Sequence, residues 1–119
     1  MYFFDTYALV EMALQNPNYD RYIDFALVVT PLNVGEYYLY VVRTYGHDLA
    51  KEKLKALSFK VAEITQNTVI EAAEFKLIHN KKEVSWADCI GYVTAQKLGL
   101  RFLTGDSQFK GLPNVEFVK

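Results

Sequence analysis

Apolar positions along this 119-residue chain alternate between short continuous runs and longer stretches that repeat every three or four residues, the signals of strand and helix respectively. Tyr2-Phe3-Phe4 is a run closed by Asp5-Thr6, and Tyr7 to Gln15 then places Leu9, Val10, Met12 and Ala13 at near-helical spacing. Asn16-Pro17-Asn18 breaks that helix, and a short one is expected over Tyr19 to Phe25. Leu27-Val28-Val29-Thr30, rich in β-branched residues and ended by Pro31, predicts a second strand. Leu32 to Tyr45 repeats at three and four up to Gly46, and His47 to Leu57 does so again with Lys51, Glu52, Lys53 and Lys55 on a polar face. Phe59-Lys60-Val61 predicts a third strand, after which Thr65 can cap a helix running to about Asn80.

Ser85-Trp86-Ala87-Asp88 has the spacing of a capping box, with Asp in place of Glu, and opens a helix to Leu98 that Gly99 can end in the left-handed region. Arg101 to Thr104 is a fourth strand, Gly105-Asp106 a turn, and Val115 to Val118 a fifth strand. This order favours an α/β fold in three layers, a mostly parallel five-stranded sheet with helices on both faces. Right-handed crossovers put helices between consecutive parallel strands.

Composition narrows the field. With 51% hydrophobic residues, three Pro, six Gly and no linker-like or repeated segment, residues 1–119 are expected to form one domain with one real core. The single Cys, Cys89, excludes an intrachain disulfide and a multi-Cys zinc site, which suits a cytoplasmic location. No segment approaches the roughly 18 apolar residues of a membrane span, and Met1 to Asp5 lacks the basic start of a signal peptide. Thirteen basic against 14 acidic residues speaks against a dedicated nucleic-acid-binding protein, while leaving nucleic acid open as a transient substrate.

In open α/β sheets the ligand crevice lies beyond the carboxyl ends of the strands. The residues expected there are acidic: Asp5 after strand one, Glu36 one turn into the helix after strand two, Asp88 in a first helical turn, and Asp106 after strand four. Each alone reads as a turn residue or a helix cap. Together they raise one another's pKa unless a cation neutralises them, and carboxylates without Cys or His select hard cations, Mg²⁺ or Mn²⁺.

The contexts Phe4-Asp5-Thr6-Tyr7-Ala8-Leu9, Gly35-Glu36-Tyr37, Ser85-Trp86-Ala87-Asp88-Cys89-Ile90 and Leu103-Thr104-Gly105-Asp106-Ser107-Gln108-Phe109 resemble the PIN-domain family, VapC-type toxins in particular, over essentially the whole chain. The resemblance implies a metal-dependent ribonuclease with strand order 3-2-1-4-5, which brings Asp5 and Asp106 side by side. It implies Asp5, Asp88 and Asp106 as metal-binding acids and Glu36 as the fourth catalytic acid, with Thr6 and Thr104 supporting the shell or the substrate phosphate. It also implies an RNA substrate, a homodimer and, for a toxin, a small antitoxin whose arm inserts a basic residue among the acids. Gln108 departs from relatives that carry an acid there. Gly35 is unusual inside a helix and suggests a close contact.

Other residues read more plainly. His47 and His79 have no partners at metal spacing, Cys89 reads as a small core hydrophobe, and Trp86 as packing rather than base stacking. Tyr40 and Arg43 lie four and seven residues after Glu36, on one helical face, so Arg43 is the candidate for a phosphate contact or a salt bridge to the acids. The tyrosines of that helix exceed what one core face needs, and Lys51, Lys53, Lys55 and the Lys81-Lys82 pair read as solvated surface. Tyr7, where dehalogenase-like phosphatases need a second Asp, sets that class aside, and Ala62-Glu63 after strand three does not fit a phosphoreceiver domain. The competing function is a PIN-like module that binds RNA or protein without cutting. Setting the four acids aside turns a formal net charge of -1 into +3, so RNA can approach the remaining surface.

Overall fold

The structure, a computed structural model, describes residues 1–79 and 84–119. Five strands, β1 (Tyr2–Phe4), β2 (Leu27–Val29), β3 (Phe59–Val61), β4 (Arg101–Thr104) and β5 (Val115–Phe117), form one sheet in the order 3-2-1-4-5. All four pairings are parallel, with Phe3 opposite Val28 on one side and Phe102 on the other.

Alternation along the strands sorts the core into two layers. Phe3, Val28 and Phe102 point to one face, where they pack with residues of α4 (Gln66–Ile78) and α5 (Trp86–Lys97). Phe4, Val29 and Leu103 point to the other, against α1 (Thr6–Ala13), α2 (Pro31–Tyr45) and α3 (His47–Lys55). The three layers match the α/β architecture read from the sequence.

Capping explains most helix starts. Thr65 accepts from the Thr68 N–H at 3.2 Å, and Ser85 from the Asp88 N–H at 3.1 Å, as their spacing predicts. Gly99 follows α5 at φ +68°. The expected end of α4 near Asn80, and the Lys81-Lys82 pair, lie outside the described residues. Helix α1 stops at Ala13 rather than Gln15, because Gln15 takes φ +58°. The short helix expected over Tyr19 to Phe25 is instead a 3₁₀ turn over Pro17–Tyr22. Asn16 caps it by accepting from the Asn18 N–H at 3.0 Å, and Pro17 opens the turn, where its missing N–H costs nothing.

Two glycines hold the site end of the fold together by lacking a side chain. A Cβ on Gly91 would lie 3.1 Å from the Phe3 ring and 3.3 Å from the Phe102 ring, so α5 sits close on β1 and β4. A Cβ on Gly105 would come within 2.3 Å of both the Tyr7 ring and the Val118 carbonyl oxygen. Gly35 is different. An added Cβ there meets no atom within 4 Å, so the close contact expected at this glycine is not made.

Trp86 is 49% exposed, with the Lys76 ammonium 5.6 Å from its ring centre, so the packing role read for it is not realised. Cys89 is fully buried and its thiol is pushed up to about 11 by burial, in keeping with a core role. Among the described residues no helix is long and apolar enough to cross a membrane. In urea denaturation, Gly35→Ala is expected to stabilise the fold by up to about 1 kcal/mol through helix propensity. Gly105→Ala is expected to destabilise it by about 1–3 kcal/mol through overpacking.

Candidate active site

Asp5 follows β1 and donates its backbone N–H to the Leu103 carbonyl at 3.1 Å, extending the β1–β4 ladder by one residue. That register sets Asp5 beside Thr104. The Thr104 hydroxyl donates to Asp5 Oδ2 at 2.7 Å and accepts from the Asp106 N–H at 3.1 Å, so one buried oxygen joins the two acids. Asp106 Oδ1 in turn accepts from the Gln108 N–H at 3.0 Å, capping the short turn Ser107–Phe109.

Glu36 is held by a second chain of bonds. The Thr6 hydroxyl donates to Glu36 Oε1 at 2.6 Å and accepts from Asn33 Nδ2 at 3.1 Å. Asn33 is fully buried, and its Oδ1 accepts from both the N–H and the hydroxyl of Thr30, at 2.9 and 3.0 Å. The end of β2, the first turn of α2 and the start of α1 are thus tied through one amide. Asn33 was missed as a site residue, although its spacing three positions after Thr30 is that of a capping box. Asp88 enters from the opposite layer in the first turn of α5, half-buried.

A cleft of about 350 Å³ lies between these layers, lined by Thr6, Glu36, Leu39, Tyr40, Arg43, Ser85 and Asp88. The helical face carrying Glu36, Tyr40 and Arg43 is therefore a wall of the cleft, as spacing predicts. Asp5 and Asp106 do not line it. Arg43 is exposed, and among the described residues the ion pairs are Lys97–Glu71 and Arg101–Glu116. The salt bridge offered as one role for Arg43 is not formed, because the arginine stays at the solvated rim of the cleft. Two larger hollows, of about 490 Å³ beside α4 and α5 and about 510 Å³ at the amino ends of β2 and β3, hold none of the four acids.

Burial pushes the Asp5 carboxyl up to about 8, and the Asp88 charge adds to the rise. The Thr104 bond and the Thr6 amide pull it down only in part, and Glu36 raises it further. Asp88 is raised to about 6, again chiefly by burial; hydrogen bonding with Ser85 lowers it, while the charges of Glu36 and Asp106 raise it. Asp5 Oδ1 is buried without a hydrogen bond. Such an orphan is costly in a protein interior and marks a position where a cation would be stabilising.

Among the described residues no three His, Cys, Asp or Glu side chains stand close enough to hold a metal ion as they are. The chemistry of the donor set nonetheless fits a hard divalent cation. It is made of carboxylate oxygens, one of them orphaned, under the mutual repulsion of Asp5, Asp88 and Glu36.

A model of the PIN domain matches residues 2–115. Among solved structures the chain is similar to VapC20 of Mycobacterium tuberculosis, described as a sarcin-ricin loop cleaving toxin, with a TM-score of 0.80 and 20% identity over 100% of both chains. It is also similar to a chain of a toxin-antitoxin complex from Klebsiella pneumoniae, with a TM-score of 0.73 and 17% identity over 98% of this chain and 96% of that one. At these identities the likeness is one of fold. Comparison with curated protein sequences gave no match.

The raised carboxyls set the pH dependence of the metal-free protein. Unfolded, Asp5 and Asp88 titrate near 3.8, so between that value and about 8 the folded chain binds more protons than the unfolded one. The stabilising effect of these protons is fully present below the unfolded value and is lost as pH rises through about 6 and then 8. In chelator, the urea midpoint should fall from pH 5 to pH 8, and Asp5→Asn should flatten most of that fall. A wild-type midpoint that rises over this range would contradict it.

Proposed function

The chain belongs to the PIN-domain family, and from that membership we propose that it is a metal-dependent endoribonuclease hydrolysing RNA phosphodiester bonds, the toxin of a toxin-antitoxin pair. The observation that carries the reading is Asp5: a buried carboxylate with one oxygen unpartnered, beside the charges of Asp88 and Glu36 at the edge of an open cleft. An acid so placed opposes folding in its ionised form unless a cation completes its surroundings. In this reading residues 1–119 act as one catalytic domain.

Asp5, Asp88 and Asp106 would hold Mg²⁺ or Mn²⁺, with Glu36 as the fourth acid, and the bound ion would acidify a water and neutralise charge on the scissile phosphate. Thr104 occupies Asp5 Oδ2 and leaves Oδ1 as the donor oxygen. Thr6, held by Asn33, keeps Glu36 turned to the cleft. Arg43 at the rim contacts a flanking phosphate, and Tyr40 beside it offers a ring face to the RNA. Hydrolysis forms a bond from the water oxygen to phosphorus and breaks a phosphorus–ester bond, the departing oxygen leaving with a proton. No side chain is consumed.

The resemblance to a chain of a toxin-antitoxin complex supports a small antitoxin partner, whose arm would place a basic residue among the acids; a homodimer is proposed with it, on the family resemblance alone. Cleavage of single-stranded RNA should require Mg²⁺ or Mn²⁺ and fall about 100-fold or more in Asp5→Asn and Asp106→Asn. Equal activity in wild type and both variants would overturn the assignment, and RNA binding without cleavage would favour the non-catalytic module. Arg43→Ala should weaken RNA binding and reduce its salt dependence by about one counterion. Titrations at two ionic strengths measure it.

A further inference from the structure

Two tyrosines of the Pro17–Tyr22 turn reach toward the last strand, and both are almost fully buried. Tyr22 donates its hydroxyl to Glu116 Oε2 at 2.8 Å, and Tyr19 donates to the Val118 carbonyl at 2.6 Å. Only the second bond leads to the acids. Val118 donates its own N–H to the Thr104 carbonyl at 2.9 Å, one residue beyond β5, so its backbone is held through both the N–H and the carbonyl. Its carbonyl oxygen occupies the space that a Cβ on Gly105 would need. Thr104 carries the hydroxyl shared between Asp5 Oδ2 and the Asp106 N–H. The phenol, the Val118 backbone, Thr104 and the two acids thus form one continuous chain of contacts. Asn18 anchors the turn at its far side, donating from Nδ2 to the Lys119 carbonyl at 2.9 Å.

We propose that Tyr19 is a positioning residue that sets the spacing of Asp5 and Asp106, and through it the affinity of the acid cluster for a divalent cation. The second part rests on the metal-dependent reading above. Removing the Tyr19 hydroxyl leaves the ring in place but takes away the donor that draws the Val118 carbonyl toward the turn and against Gly105. The half-buried carbonyl then loses its partner, and the end of β4 loses the support that fixes Gly105 and Asp106. Metal-binding groups tolerate little displacement, so a shift of a fraction of an ångström in Asp106 reads out as affinity.

The experiment compares the whole chain with Tyr19→Phe and with Tyr22→Phe, which removes the hydroxyl of the other buried tyrosine of the same turn. Mn²⁺ affinity is measured by titration calorimetry, and amide exchange at Asp106 and Val118 by NMR in chelator. Tyr19→Phe should bind Mn²⁺ about tenfold more weakly and exchange both amides faster, while Tyr22→Phe matches wild type in both. An unchanged Mn²⁺ affinity in Tyr19→Phe, unchanged exchange, or an equal loss in Tyr22→Phe overturns the proposal. A wild-type chain that binds no Mn²⁺ sinks the metal-dependent reading instead, and exchange alone then decides whether Tyr19 holds Asp106.

Discussion

The parallel pairing of β1 with β4 is the contact on which everything at the site depends. Asp5 and Thr104 are 99 residues apart in sequence, and only this register places the threonine hydroxyl on the aspartate. Here the strand order reverses direction, so the helices that follow β1 and β2 cover one face while α5, which precedes β4, covers the other. A crevice opens between diverging layers at such a point. Glu36 reaches it from one layer and Asp88 from the other, with Asp5 and Asp106 at the strand ends between them.

Bringing carboxylates together is work done against both charge repulsion and desolvation. Two dense apolar layers make it tolerable. On one face Phe3, Tyr92, Phe102 and Phe109 pack ring against ring at centroid distances of 4.9 to 5.8 Å, and each fully buried side chain of this kind contributes on the order of 1.5–3 kcal/mol. On the other, Phe4, Tyr19, Tyr22 and Tyr37 are buried with aliphatic neighbours. The unusual aromatic content is therefore concentrated in the core that supports the acids, while Tyr45 remains partly exposed beneath the Lys53 ammonium.

Strands, caps and the four acids were legible because their signals are local. A β-branched run before Pro31, a serine three residues before Asp88, and an acid directly after an apolar run each state their structure within a few positions. The chains that support the acids were less legible. Asn33 carries a capping signal that explains its bond to Thr30, but nothing nearby in sequence announces its other bond, to Thr6, 27 residues away. Tyr19 looked like one more aromatic residue after a proline, since its partner is 99 residues further on. Gly35, inside a helix, suggests a close contact and Gly105 only a turn, yet the first faces open space and the second is compressed between a ring and a carbonyl. Trp86 misled for a related reason: large and apolar, it begins a helix whose buried face starts only at Cys89.

The alternating side chains of the central strands have a consequence for how such a protein can change. Phe3 and Phe102 belong to one apolar layer, Phe4 and Leu103 to the other, and no side chain serves both. The wall of the cleft that carries Asp88 and the wall that carries Glu36, Tyr40 and Arg43 therefore rest on separate foundations. Substitutions accumulating in one layer can tilt or widen that wall while the other keeps its shape, and the strand ends between them keep the acids in register. The shape of the cleft can change one half at a time, without the acids at the strand ends losing their places.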